Sequence, residues 1–130
     1  MRHSAIKRLF RYLADSKYTV VITTDHGSIQ VDTPTKVIGD KNTNTNLRYK
    51  LGKALNYNSK EVFEIKEPAK AFLPAPNLST SYIFATGSNF FAYPNNYNYY
   101  VQYYKDTFQH GGISMEEMLV PLIKLRPKGI

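Results

Sequence analysis

Ile6, Leu9, Phe10, Leu13 and Ala14 recur at helical spacing, with Lys7, Arg8, Arg11 and Asp15 on the other side. This pattern predicts an amphipathic helix, with Ser4 placed to cap its start. A short connection at residues 15–17 leads into a nearly continuous β-branched run at 18–24. Such a run predicts a central strand buried on both faces, and a helix leading closely into it is an α/β pattern.

Beyond Asp25-His26-Gly27 the periodicity shortens. Strands are expected at 29–31 and 35–38, separated by turn chemistry at 32–34. Residues 41–46 are polar and read as a loop. Residues 47–55 are expected to be helical behind an Asn46 cap, although Gly52 weakens the pattern. A strand is expected at 61–66, then an irregular stretch marked by Pro68, Pro74 and Pro76. Residues 82–85 and 90–93 read as the two arms of a hairpin around Gly87-Ser88-Asn89. The tyrosine- and asparagine-rich stretch at 93–104 reads either as an edge strand or aromatic helix face packed on the core, or as a platform on which bases stack. Ser114 and Glu117 have capping-box spacing, which predicts a short helix stopped by Pro121 and a closing strand at 122–125.

Composition narrows the class. With 130 residues the chain is one domain or a piece of one, and no domain linker or internal repeat interrupts it. Its apolar content is enough for a packed core, and no apolar run is long enough to span a bilayer. No signal-peptide pattern follows the basic N-terminus. The absence of cysteine excludes disulfides and thiolate metal sites, and a cytoplasmic location is the expectation. The net charge of +7 is either a soluble basic surface or a field that attracts phosphates and nucleic acid.

Candidate chemistry centres on the histidines. Asp25 and His26 stand where the first strand runs out, and Gly27 permits the break that lets adjacent side chains converge. A carboxylate beside an imidazole suits zinc or manganese. His110 lies in a second glycine-containing loop and offers another imidazole. Taken singly, each motif is also what an ordinary turn or helix entry looks like. His3, near the start, reads as solvated. Arg48 is a candidate for phosphate contact, against an ion-paired or solvated alternative, and Tyr49 shares that doubt. Glu116 and Glu117 are explained better by helix capping and the helix dipole than by acid–base work.

Together these motifs resemble a known family. Residues 23–27 are similar to the metal-binding strand end of the alkaline phosphatase superfamily, and residues 109–118 with Pro121 resemble the closing metal motif of its PglZ branch. The segments 36–40, 46–50 and 93–100 resemble the PglZ domain of PorX-type response regulators. The resemblance covers nearly all of residues 1–130, as the C-terminal portion of such a domain. It implies an α/β fold with a mostly parallel sheet, helices on both faces, and N-terminal strands missing.

The resemblance also implies a metal-dependent phosphodiesterase or phosphatase, with two zinc ions in the complete domain. Asp25 and His26 would hold the ion nearest the nucleophile and His110 the other. Substrates would be phosphate esters, nucleotides or oligonucleotides among them, and the setting a two-component signalling regulator. The family's nucleophile, its first metal-binding carboxylate and its Asp-x-x-x-His motif are not found, so the chain is expected to be inactive alone. An exposed sheet edge is expected to invite self-association. The competing expectations are a non-catalytic effector or interaction module and a basic nucleic-acid-binding module.

Overall fold

The computed structural model describes residues 4–127. They form two compact units, residues 4–25 with 120–127 and residues 26–119.

The first unit opens with helix α1 (Ala5–Asp15), where the Ser4 hydroxyl accepts from the amide of Ile6 as its cap. Strand β1 (Val20–Thr23) pairs antiparallel with β9 (Leu122–Leu125), with Val20 opposite Leu125 and Thr23 opposite Leu122. The positions of α1 and β9 match expectation, but the expected burial of β1 on both faces is not found. Its residues alternate between half-buried and exposed, and Val21 is 58% exposed. A β-branched run reports strand propensity, whereas burial depends on what covers each face. Helix α1 also buries no residue fully: Ile6 and Leu9 are exposed, and Phe10 and Leu13 are half-buried.

The second unit carries the core. Strand β2 (Ile29–Gln30) pairs antiparallel with β8 (Phe108–Gln109). Strands β4 (Tyr49–Gly52), β6 (Ser81–Ala85) and β5 (Val62–Ile65) form an antiparallel sheet with β6 in the middle. Strand β3 (Thr33–Lys36) pairs with β7 (Asn89–Ala92), the one parallel pair among the described residues. The fold is therefore mixed α/β, but the expected mostly parallel sheet is corrected to small, mostly antiparallel sheets. Parallel pairing needs a long crossover between its strands, and the chain between β3 and β7 supplies one.

Strand β7 holds the place that the sequence pattern assigned to β1. Phe91 enters one apolar cluster with Val37, Ile83 and Ala85, while Phe90 and Ala92 enter a second with Val31. Successive side chains of a strand point to opposite faces, so β7 is sandwiched between two cores. The expected hairpin of β6 and β7 is also corrected. Both strands exist, and a turn closed by Asn89 N–H to Thr86 O joins them, but they enter different sheets. Gly87 in this turn has φ +51°, a backbone that favours glycine.

Residues 47–55, expected to be helical, are instead built around β4. Asparagine side chains take over the local amides: Asn46 Oδ1 accepts from Arg48 and Tyr49, and Asn44 Oδ1 from Leu51. These bonds, with the pairing to β6, replace the helix ladder, as side chain-to-backbone bonds of asparagine do. The tyrosine-rich stretch forms helix α2 (Tyr97–Tyr104), whose Tyr97, Val101 and Tyr104 pack on the Val31–Phe90 cluster. This is the packed helix face that competed with a base-stacking platform, though Tyr99 and Tyr103 remain 62% exposed. Helix α3 (Met115–Met118) starts with the expected capping box of Ser114 and Glu117.

Candidate functional site

The antiparallel β2–β8 pairing sets Ile29 opposite Gln109. It therefore brings the chain just before β2 alongside the chain just after β8. His26 and His110 occupy these neighbouring ends. Their rings stack with centroids 3.9 Å apart and planes 11° from parallel. Both residues are exposed, and His26 Nδ1 lies 2.8 Å from the carbonyl of Gly27. Because a carbonyl can only accept, that contact places the proton on Nδ1, which donates, and in the neutral ring leaves the lone pair on Nε2.

Three groups fix the loops that carry the two rings. Glu117 comes first. Its backbone carbonyl accepts from the Gly27 amide at 2.9 Å, beside His26. Its carboxylate accepts from the Gly112 amide at 2.9 Å and the Ser114 amide at 3.2 Å, in the loop that follows His110. Arg48 is second. Its Nε and Nη2 donate to the two Glu117 carboxylate oxygens at 3.0 and 2.9 Å, and its Nη1 donates to the carbonyl of Asn89. Asn46 is third, donating from Nδ2 to the His110 carbonyl at 3.3 Å.

The Arg48–Glu117 pair is buried, with side-chain exposures of 0% and 1%. Burial pushes the Glu117 carboxyl upward. The Arg48 guanidinium and the Gly112 and Ser114 bonds outweigh burial and hold it below the ordinary carboxylate range. Buried ion pairs persist where geometry is bidentate and the remaining lone pairs are met, and both conditions hold here.

Glycines make this arrangement possible. A Cβ on Gly112 would lie 2.6 Å from Glu117 Oε2 and 3.1 Å from Arg48 Nε. A Cβ on Gly27 would lie 1.9 Å from the Glu116 carbonyl oxygen, which is backbone and cannot swing away. The glycines after each histidine are visible in the sequence; at Gly27 the reason is close approach of main chain, whereas Gly111 has φ +100° and Gly112 is approached by the Glu117 and Arg48 side chains.

The remaining sequence candidates have their own surroundings. Asp25 is exposed and accepts from the Thr24 hydroxyl at 3.3 Å. Arg48, considered for phosphate contact, is wholly buried with its guanidinium engaged by Glu117 and Asn89. Tyr49 is half-buried and sits in an aromatic row with Tyr82 and Phe84, at centroid distances of 6.5 and 6.2 Å. Glu116 is exposed. His3 lies outside the described residues. No group of three or more His, Cys, Asp or Glu side chains is gathered closely enough to hold a metal ion among the described residues. What the sequence did not reveal is the part played by Glu117. A capping-box spacing foretells one of its bonds and says nothing about Arg48 or Gly27.

The imidazole pair can be tested against the two-metal expectation on its spacing. Paired catalytic metals stand about 3.5–4 Å apart. Two parallel imidazoles with centroids 3.9 Å apart offer nitrogen donors, and no group of three or more His, Asp or Glu ligands is gathered with them among the described residues. A catalytic zinc takes three protein ligands, so a complete site would need further donors.

A family model for the BREX system PglZ alkaline phosphatase-like domain matches residues 2–125, and the chain belongs to that family. The search of curated proteins found no match. No helix of the described residues is long and apolar enough to cross a membrane.

Proposed function

We propose that this chain supplies metal-binding residues to a metal-dependent phosphoryl hydrolase domain. The observation that carries the reading is the stacking of His26 and His110 at 3.9 Å, in a chain whose family is alkaline phosphatase-like. His26 would hold one ion and His110 a neighbouring one. Asp25 enters from its sequence position beside His26, as a carboxylate ligand to the same ion as that imidazole. Zinc is the proposed metal, since imidazole and carboxylate oxygen are both ligands it takes, and manganese is the alternative. Such ions, when bound, polarise a phosphoryl oxygen and steady the charge of an in-line displacement.

The protein's own residues have separate tasks in this reading. Glu117 and Asn46 set the two histidine loops, and Arg48 holds Glu117 in its ionised form. Arg48 is thereby a positioning residue, and the buried geometry favours that role over direct contact with a substrate phosphate. No described residue is assigned as nucleophile. The chain alone is accordingly proposed to bind metal without turnover. The substrate class is a phosphate ester.

The test is metal content by mass spectrometry after equilibration with zinc. The chain is compared with a His26→Ala, His110→Ala double variant, with folding of both checked by circular dichroism. Zinc retained by the parent and lost by the folded double variant supports the reading. Equal retention in both, or none in the parent, overturns it.

A further inference from the structure

Arg48 and Lys50 lie two apart across the start of β4, which places them on one face of the strand, and both are buried. Arg48 has a carboxylate partner in Glu117. Lys50 has none. Its ammonium donates to the Asn44 carbonyl at 2.7 Å, and no ion pair to it occurs among the described residues. An ammonium has three donors, so two remain for something else. Burial alone lowers the Lys50 pKa to about 8, with no neighbouring carboxylate raising it again.

Lys50 lines a cavity of about 420 Å³. Its lining combines the aromatic Tyr93, Tyr100 and Tyr104 with the polar Lys41, Thr43 and Asn95. Asp40 also lines it, but its Oδ1 accepts from the Asn42 amide and the Thr43 hydroxyl. A buried cation without a charge partner is costly to keep, and a cavity of this size that joins tyrosines to polar and cationic groups has the makings of a small-ligand site.

We propose that this cavity binds a small aromatic anion, a planar ring carrying one carboxylate or phosphate, with the anionic group on Lys50 and the ring against Tyr100 and Tyr104. The site does not depend on the metal reading. The anion supplies the charge partner that Lys50 lacks, and the ring meets tyrosine faces that favour offset or edge packing. The 44–47 segment joins this cavity to the histidine loops, because Asn44 and Leu47 line the cavity while Asn46 holds the His110 carbonyl.

The test is a fluorescence titration of the whole chain with 2-naphthoate, 2-naphthyl phosphonate and neutral 2-naphthol, without added metal. One of the two anions is expected to bind about tenfold more tightly than naphthol, as a charge-assisted hydrogen bond would give. Which anion is tighter tells a carboxylate ligand from a phosphate one. Lys50→Met, with its fold checked by circular dichroism, is expected to remove that preference and bind all three alike. The comparison of anions with naphthol in the unaltered chain stands even if the variant fails to fold. Equal affinity for anion and naphthol, an unchanged preference in folded Lys50→Met, or no binding at millimolar ligand overturns the proposal.

Discussion

Arg48 and Glu117 form a bidentate ion pair with almost no solvent exposure, and the same Glu117 holds the amide beside His26 through its carbonyl and the loop after His110 through its carboxylate. Removing one partner of a buried pair leaves an uncompensated charge. Arg48→Met or Glu117→Leu alone is expected to destabilise by about 3–5 kcal/mol, and the double variant by less than the sum. A urea double-mutant cycle checks this. Additive losses would show that the pair is not coupled.

Acid sensitivity follows from the same carboxylate. Glu117 is held below its ordinary value of 4.5 in the folded state. A lowered folded value contributes stability that is complete above the unfolded value and is lost as pH falls through the folded one. The parent chain is expected to lose stability progressively below about pH 4.5, and folded Glu117→Gln to show a shallower acid limb. Denaturant midpoints across pH 2 to 6 read the difference, and parallel limbs would contradict it.

Lys50 gives a slope of the same sign in the alkaline range. Its folded value is about 8 against an ordinary 10.5, so the unfolded chain binds more protons between the two. Stability from this group therefore rises with pH from about 8 toward 10.5. The other titratable cavity residues are Asp40, Lys41, Tyr93, Tyr100 and Tyr104, and they are common to parent and variant. The parent minus Lys50→Met difference is expected to narrow across this window. A difference independent of pH would show that Lys50 is not desolvated in the fold.

Packing predictions separate the core from the tyrosine surface. Phe90 is wholly buried between β7 and α2, and Phe90→Ala is expected to cost about 3–5 kcal/mol. Tyr103→Ala, on the exposed side of α2, is expected to cost no more than about 0.5 kcal/mol beyond the loss of its stacking with Tyr99. Equal costs in thermal or urea unfolding would mean that α2 packs through a different face.

Local signals in the sequence were read well where the cause is local. Ser4 caps α1, Ser114 and Glu117 box α3, and β9 occupies the segment expected after Pro121. What failed depended on distant partners. The continuous run at β1 and the run at β7 look alike as strings, yet only β7 is enclosed by two clusters. The strand within residues 47–55 is not legible in the sequence, because nothing in their own spacing announces the β6 partner or the asparagine bonds that replace helical ones. The histidine motifs were legible from their glycines, and their meeting rests on the β2–β8 register, set by only two residue pairs. The burial of Arg48 was illegible because it depends on Glu117, far along the chain.

The central claim is that His26 and His110 act together as metal ligands, and zinc titration watched at the histidine imidazole nitrogens by NMR tests it most directly. The sequence has three histidines, so His3 serves as the internal reference. The account expects the His26 and His110 resonances to shift together on adding zinc, with His3 changing little, and the His26 shift to weaken in Asp25→Asn. Equal response of all three imidazoles, or zinc binding that leaves either His26 or His110 unmoved, would contradict it.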